Sequence, residues 1–175
     1  MLKITGSIIV AIIVVILILA ATKPDNFVIQ RSLAIKAPPE KIYPLIADFH
    51  HWTAWSPYEK LDPSLQRTFS GAESGRGAIY EWSGNKKAGK GRMEIIETKE
   101  PNDIVIQLDF IEPFAAHNTA EFTLTPNGDS TTATWAMRGT SPFIAKIMQV
   151  FFNMDKMIGP DFETGLANLK AATEQ

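Results

Sequence analysis

The chain has 175 residues, 45% of them apolar and 21% charged, with 17 Lys+Arg against 19 Asp+Glu and no cysteine. That length suits one domain with an appendage, and that apolar content excludes a disordered chain. A net charge of −2 offers no basic footprint for nucleic acid, and the lack of cysteine excludes disulfides, thiolate catalysis and Cys-ligated metal centres.

Residues 4–22 lie uncharged between Lys3 and Lys23 and are dominated by Ile and Val. As a helix they would span about 28 Å, close to the hydrocarbon thickness of a bilayer. This predicts a transmembrane anchor over residues 1–22. It is favoured over a cleaved signal peptide because the run exceeds a usual h-region and Leu19 fits poorly at the −3 position of a cut after Ala21. A buried core helix would carry a polar stripe, which is missing here. The flanking charges favour a single-pass membrane protein with its amino terminus inside and its bulk on the extracytoplasmic side. Residues 23–26, Lys-Pro-Asp-Asn, read as a linker, leaving residues 27–175 as the folded domain.

Residues 27–35 read as a strand. Pro38 and Pro39 then open a helix carrying Ile42, Leu45, Ile46 and Phe49, with Pro44 inside to kink or shorten it. Residues 50–57 form a turn-rich connector whose Trp52 and Trp55 are expected to pack beneath that helix. From residue 65 the period changes to two. A strand at 66–70 is followed by alternations centred on Tyr80 and Trp82, on Met93 and Ile95, and on Ile104 to Phe110. Two more centre on Ala120 to Leu124 and on Ala133 to Met137, with a hairpin turn at Pro126-Asn127-Gly128-Asp129. This is an antiparallel sheet with one apolar face. Beyond Ser141, expected as an N-cap, the period returns to 3.6 through Phe143, Ile147, Val150, Met154, Met157, Leu166 and Leu169. Gly159-Pro160 should kink or divide this helix. The fold class is therefore α+β, a curved antiparallel sheet gripping a long carboxyl-terminal helix, preceded by one transmembrane helix.

Inward sheet positions carry Tyr80, Trp82, Phe110, Phe122, Trp135 and Met137, and the facing helix carries Met148, Phe151, Phe152, Met154 and Met157. Core packing is the plainer reading of each residue taken singly. Together, so many large aromatics and flexible thioethers on a curved sheet leave room for an apolar cavity, with Phe114 at its mouth.

These features resemble the START-like superfamily of helix-grip domains, in particular the bacterial polyketide cyclase/dehydrase-type (SRPBCC) proteins with an amino-terminal anchor. The resemblance spans residues 27–172. It rests on Arg31-Ser32, Ile35-Lys36-Ala37-Pro38-Pro39-Glu40, Trp52-Thr53-Ala54-Trp55-Ser56-Pro57 and Tyr80-Glu81-Trp82. It also rests on Met154-Asp155-Lys156-Met157-Ile158-Gly159 and the run from Phe162 to Lys170. Members variously bind lipids or quinones, cyclise polyketides or assist other proteins. The resemblance thus implies a deep apolar cavity between sheet and helix without naming its ligand.

Turnover in such a cavity needs inward polar groups. The sheet offers the Tyr80 hydroxyl and the indole N–H groups of Trp82 and Trp135, and His117 is the other catalytic candidate. His50, His51 and His117 are better read as solvated or structural than as metal ligands, and no cofactor is called for. The run from Gly84 to Gly91 nearly matches a phosphate-binding loop. However, it has Gly91 where Ser or Thr should stand and joins two strands, so nucleotide binding is rejected. Lys86, Lys87, Lys90 and Lys99 read as a solvated hairpin in preference to an anionic-lipid contact. No GxSxG elbow is present. The expected function is membrane-tethered binding of a hydrophobic small molecule such as a lipid, quinone or polyketide-like compound. The alternatives are a cyclase/dehydratase using Tyr80 and His117, and a protein-interaction module whose partner is unknown.

Overall fold

The period-two pattern becomes a seven-stranded sheet. In the computed structural model, which describes residues 2–174 and the side chains of the first helix from residue 8, the strands are β1 (Asn26–Ile35), β2 (Gln66–Gly71), β3 (Ala78–Ser83), β4 (Lys90–Lys99), β5 (Asp103–Glu112), β6 (Ala116–Asn127) and β7 (Ser130–Thr140). They pair antiparallel throughout in the order β1-β7-β6-β5-β4-β3-β2, so the first strand closes against the last. A register shift between Ile95 and Glu97 inserts an extra residue into β4, and such a bulge bends and twists a sheet.

The helices are α1 (Leu2–Ala21), α2 (Pro39–Ala47), α3 (Trp52–Trp55), α4 (Phe143–Phe151) and α5 (Met154–Thr173), with 3-10 turns at Phe49–His51 and Pro57–Lys60. α5 lies across β1 and β7 and against α3. Ile29, Ile95, Ile106, Phe122 and Leu124 from the sheet meet Ile42 and Ile46 of α2, Trp55 of α3 and Phe162, Leu166 and Leu169 of α5 in one core. Trp52 and Trp55 are buried beneath α2, donating their indole N–H groups to the carbonyls of Ile46 at 2.9 Å and Leu45 at 2.8 Å. They form no surface patch for a partner. Across the sheet, Arg31 of β1 holds α5 by donating to Asp155 at 2.8 Å and to Glu163 at 2.7 Å.

Three expectations are corrected. Among the described residues no helix is long and apolar enough to cross a membrane, which overturns the transmembrane anchor and with it the membrane localisation and extracytoplasmic placement. Met1 and the side chains of residues 2–7, part of the expected span, lie outside the described residues. α1 lies along α4, with Ala20 buried.

Second, the carboxyl-terminal helix divides at Phe152 and Asn153, not at Gly159-Pro160. Asn153 caps α5 by accepting from the Lys156 N–H at 3.1 Å, and Pro160 is accommodated inside the helix. Gly159 serves a different purpose, because a Cβ there would collide with the Arg31 guanidinium. Ser141 is not the cap of α4. Pro142 takes that position, and the Ser141 hydroxyl accepts from Gln149.

Third, the buried stripe of α5 runs through Ile158, Phe162, Leu166 and Leu169, while Met157 is exposed. α4 lies along α1, and Met148, Phe151 and Phe152 are exposed.

Candidate functional site

The sheet, the α3 region and α5 enclose a cavity of about 240 Å³. Its sheet wall is Tyr80 and Trp82 of β3, Met93 of β4, Leu108 and Phe110 of β5, Ala120 of β6, and Trp135 and Met137 of β7. The opposite wall is Trp52, Ser56, Tyr58, Glu59, Leu61 and Leu65 from the segment after α2, with Ile158, Asp161 and Phe162 of α5 and Ala88 of the β3–β4 hairpin.

Alternation in the strands explains the sheet wall, since residues two apart share a face. Trp82 lies directly over its cross-strand neighbour Gly91, where a Cβ would collide with the ring. The indole donates to the Ala88 carbonyl at 3.0 Å and meets Phe110 edge-on at 5.9 Å. Trp135 stacks on Phe162 with centroids 4.2 Å apart and planes 5° from parallel. Close approach of α5 is possible because position 165 is glycine, as a Cβ there would stand 2.6 Å from Trp135 Cζ3. The Trp135 N–H is enclosed and has no acceptor among the described residues.

Polar groups sit at two places in the wall. At one, Glu59 is 5% exposed and fully engaged: the Tyr80 hydroxyl donates to Oε1 at 2.6 Å and Arg67 Nε donates to Oε2 at 2.6 Å. Burial, reinforced by the Glu59 carboxylate, pushes the Tyr80 phenol well above its usual range. At the other, burial raises the Asp161 carboxyl. Burial and then the Asp161 charge raise the Tyr58 phenol.

Asp62 closes the hairpin side. It accepts from the Ser64 hydroxyl at 2.7 Å, the Ser64 N–H at 2.9 Å and the Asn85 N–H at 2.6 Å, and the Ser64 hydroxyl leads the causes that hold its carboxyl below the usual range. The run from Gly84 to Gly91 is thus a hairpin tip tied to the loop before β2.

Of the residues singled out from the sequence, Tyr80, Trp82, Phe110, Trp135 and Met137 line the cavity. Phe122 is fully buried in the core alongside it. Met148, Phe151, Phe152 and Met157 do not line it, and Phe114 is 84% exposed. His117 is 84% exposed on the outer sheet face, paired with Asp109 at 2.7 Å. His50 bonds to Asp48 and stacks on Phe69. Among the described residues no group of three or more His, Cys, Asp or Glu is arranged to hold a metal ion. Sequence reasoning missed Tyr58, Glu59, Asp161 and Phe162. Only the last pair left a signal, standing three and four residues after Ile158 on the same helix face.

No curated protein matches the chain by sequence. Solved structures do match its fold. Protein CV1439 from Chromobacterium violaceum superposes with a TM-score of 0.60 at 16% identity, over 87% of this chain and 99% of that one. Major latex-like protein 151 from Panax ginseng gives 0.61 at 10% identity, over 86% and 99%. The di-domain ARO/CYC BexL from the BE-7585A biosynthetic pathway gives 0.63 at 13% identity, over 90% of this chain and 53% of that one. At these identities the likeness carries the fold alone, an α+β helix-grip architecture. The family assignment comes from the sequence itself: residues 26–174 match the family model described as polyketide cyclase / dehydrase and lipid transport, and the chain belongs to that family.

Proposed function

We propose that this protein binds an apolar small molecule, such as a lipid, quinone or polyketide-like compound, in the cavity between sheet and α5. The observation that carries the reading is the lining: aromatic and aliphatic side chains dominate it, and the Glu59 carboxylate is already engaged by Tyr80 and Arg67. Removing apolar ligand surface from water contributes about 25 cal/mol per Å², so such a wall favours a hydrophobic guest. Binding is favoured over cyclase or dehydratase turnover because Tyr80 spends its proton on Glu59 and His117 lies on the opposite face of the sheet. Membership of a cyclase and lipid-transport family is compatible with either.

Native mass spectrometry of the full chain tests the reading. The expected result is a discrete retained mass that is lost in Trp82→Ala and Phe110→Ala, with near-ultraviolet circular dichroism showing both variants folded. A clean apo mass, combined with turnover of an added polyketide-like substrate that collapses in Tyr80→Phe, would replace binding by catalysis.

A further inference from the structure

The two polar places in the cavity wall differ in one respect. Glu59 has both carboxylate oxygens occupied. Asp161 and Tyr58 do not: neither side chain is engaged in a hydrogen bond with a described residue, and no described cation pairs with Asp161. Both line the cavity. They are also anchored to the same aromatic cluster. Phe162, next to Asp161 on α5, stacks on Trp135, and Tyr58 meets Trp135 edge-on at 6.2 Å. The enclosed Trp135 N–H is unavailable to a guest, and Asp161, Tyr58 and the Ser56 hydroxyl are the polar side chains of the wall outside the Glu59 cluster.

Both side chains are half-buried in the wall, so a guest that displaces water from them must supply hydrogen bonds in its place. Asp161 only accepts when ionised, whereas Tyr58 can donate. A ketone or ether oxygen would serve Tyr58 and leave Asp161 unpaired. An ammonium would serve Asp161 and leave the Tyr58 proton unused. One hydroxyl serves both, donating to the carboxylate and accepting from the phenol. We propose that the ligand is an apolar molecule bearing an alcohol or phenol hydroxyl, and that Tyr58 and Asp161 hold that hydroxyl between them. This rests on the binding reading above and narrows its ligand class.

The test uses two probes of nearly the same shape, 2-naphthol and 2-methylnaphthalene, titrated into the full chain while the indole N–H resonances of Trp82 and Trp135 report on the cavity. The expected result is that 2-naphthol binds about tenfold or more tightly than 2-methylnaphthalene, the scale of a hydrogen bond to a charged group. In Tyr58→Phe and in Asp161→Ala the ratio of the two affinities shrinks to about threefold or less, whatever each substitution does to 2-methylnaphthalene binding itself. Equal affinities in the parent overturn the hydroxyl assignment and leave the apolar cavity standing. A preference that survives both substitutions overturns the role of these two residues. If neither probe shifts the cavity indoles, the binding reading itself falls and takes this inference with it. Tyr58→Phe removes one oxygen and serves alone should Asp161→Ala fail to fold.

Discussion

The Tyr80 hydroxyl donates to Glu59 Oε1 at 2.6 Å, across 21 residues of chain, while Arg67 Nε reaches the other oxygen at the same distance. Arg67 also donates to the Glu59 and Leu65 carbonyls, so one guanidinium ties β2 to the 3-10 turn at Pro57–Lys60. A buried carboxylate tolerates the loss of a neutral donor better than the loss of its countercharge. Tyr80→Phe should therefore cost about 1–2 kcal/mol in urea unfolding, whereas Arg67→Met should cost about 3 kcal/mol or more. If Tyr80→Phe proved the more damaging, the guanidinium would not be what compensates Glu59.

Asp161 predicts a pH dependence of opposite sign to that of an ion-paired carboxylate. Burial raises its folded-state value, so the fold favours the protonated form. That favourable contribution is full below the ordinary aspartate range and is lost as pH rises through the raised folded value. Asp161→Asn cannot ionise. It should match the parent in thermal unfolding at acid pH and exceed it increasingly towards neutrality, with the gap levelling off above the folded value. A constant gap at every pH would show that Asp161 acts through shape and not through charge.

The Asn153 cap accounts for where the carboxyl-terminal helix divides. Its side chain accepts from the Lys156 N–H at 3.1 Å, replacing one of the hydrogen bonds that a helix start leaves open. Asn153→Ala should lower stability by about 1 kcal/mol, and Asn153→Asp should preserve most of it. Chemical denaturation of the three proteins in parallel is sufficient, and equal midpoints for parent and Ala variant would remove the cap from the account.

The sheet wall of the site was legible because alternation leaves little choice: once Tyr80 faces inward, Trp82 does too, and the same holds along β5 and β7. The helical wall was not. Met148, Phe151, Phe152 and Met157 carry the bulk expected of a buried stripe, yet the break at Phe152 and Asn153 resets the helix, and Ile158 and Phe162 face the sheet instead. Tyr58 and Glu59 were hidden for another reason. Polar residues just outside regular strands look like surface in a sequence, and only the fold brings them to the cavity. At the amino terminus an apolar run suggested a bilayer span that the described helix does not provide.

Gly91 is where the backbone makes room for the cavity-lining indole of Trp82. A Cβ at this position would collide with the Trp82 ring and would stand 2.6 Å from the Asp109 carbonyl oxygen on β5. The backbone oxygen cannot swing aside, so the strand or the indole must move. Moving the indole breaks its hydrogen bond to the Ala88 carbonyl and loosens the hairpin that Asp62 ties down. Gly91→Ala should therefore destabilise the domain by about 2 kcal/mol, within the range for overpacking. It should also shift the Trp82 indole resonance and weaken 2-methylnaphthalene binding, because the cavity wall is displaced. The neighbouring hairpin substitution Lys90→Ala, on an exposed side chain, provides the control and should leave all three measurements unchanged. If Gly91→Ala were neutral in stability and left the indole resonance in place, Trp82 would not be held by the flat surface of β4, and the cavity wall there would be looser than the structure depicts.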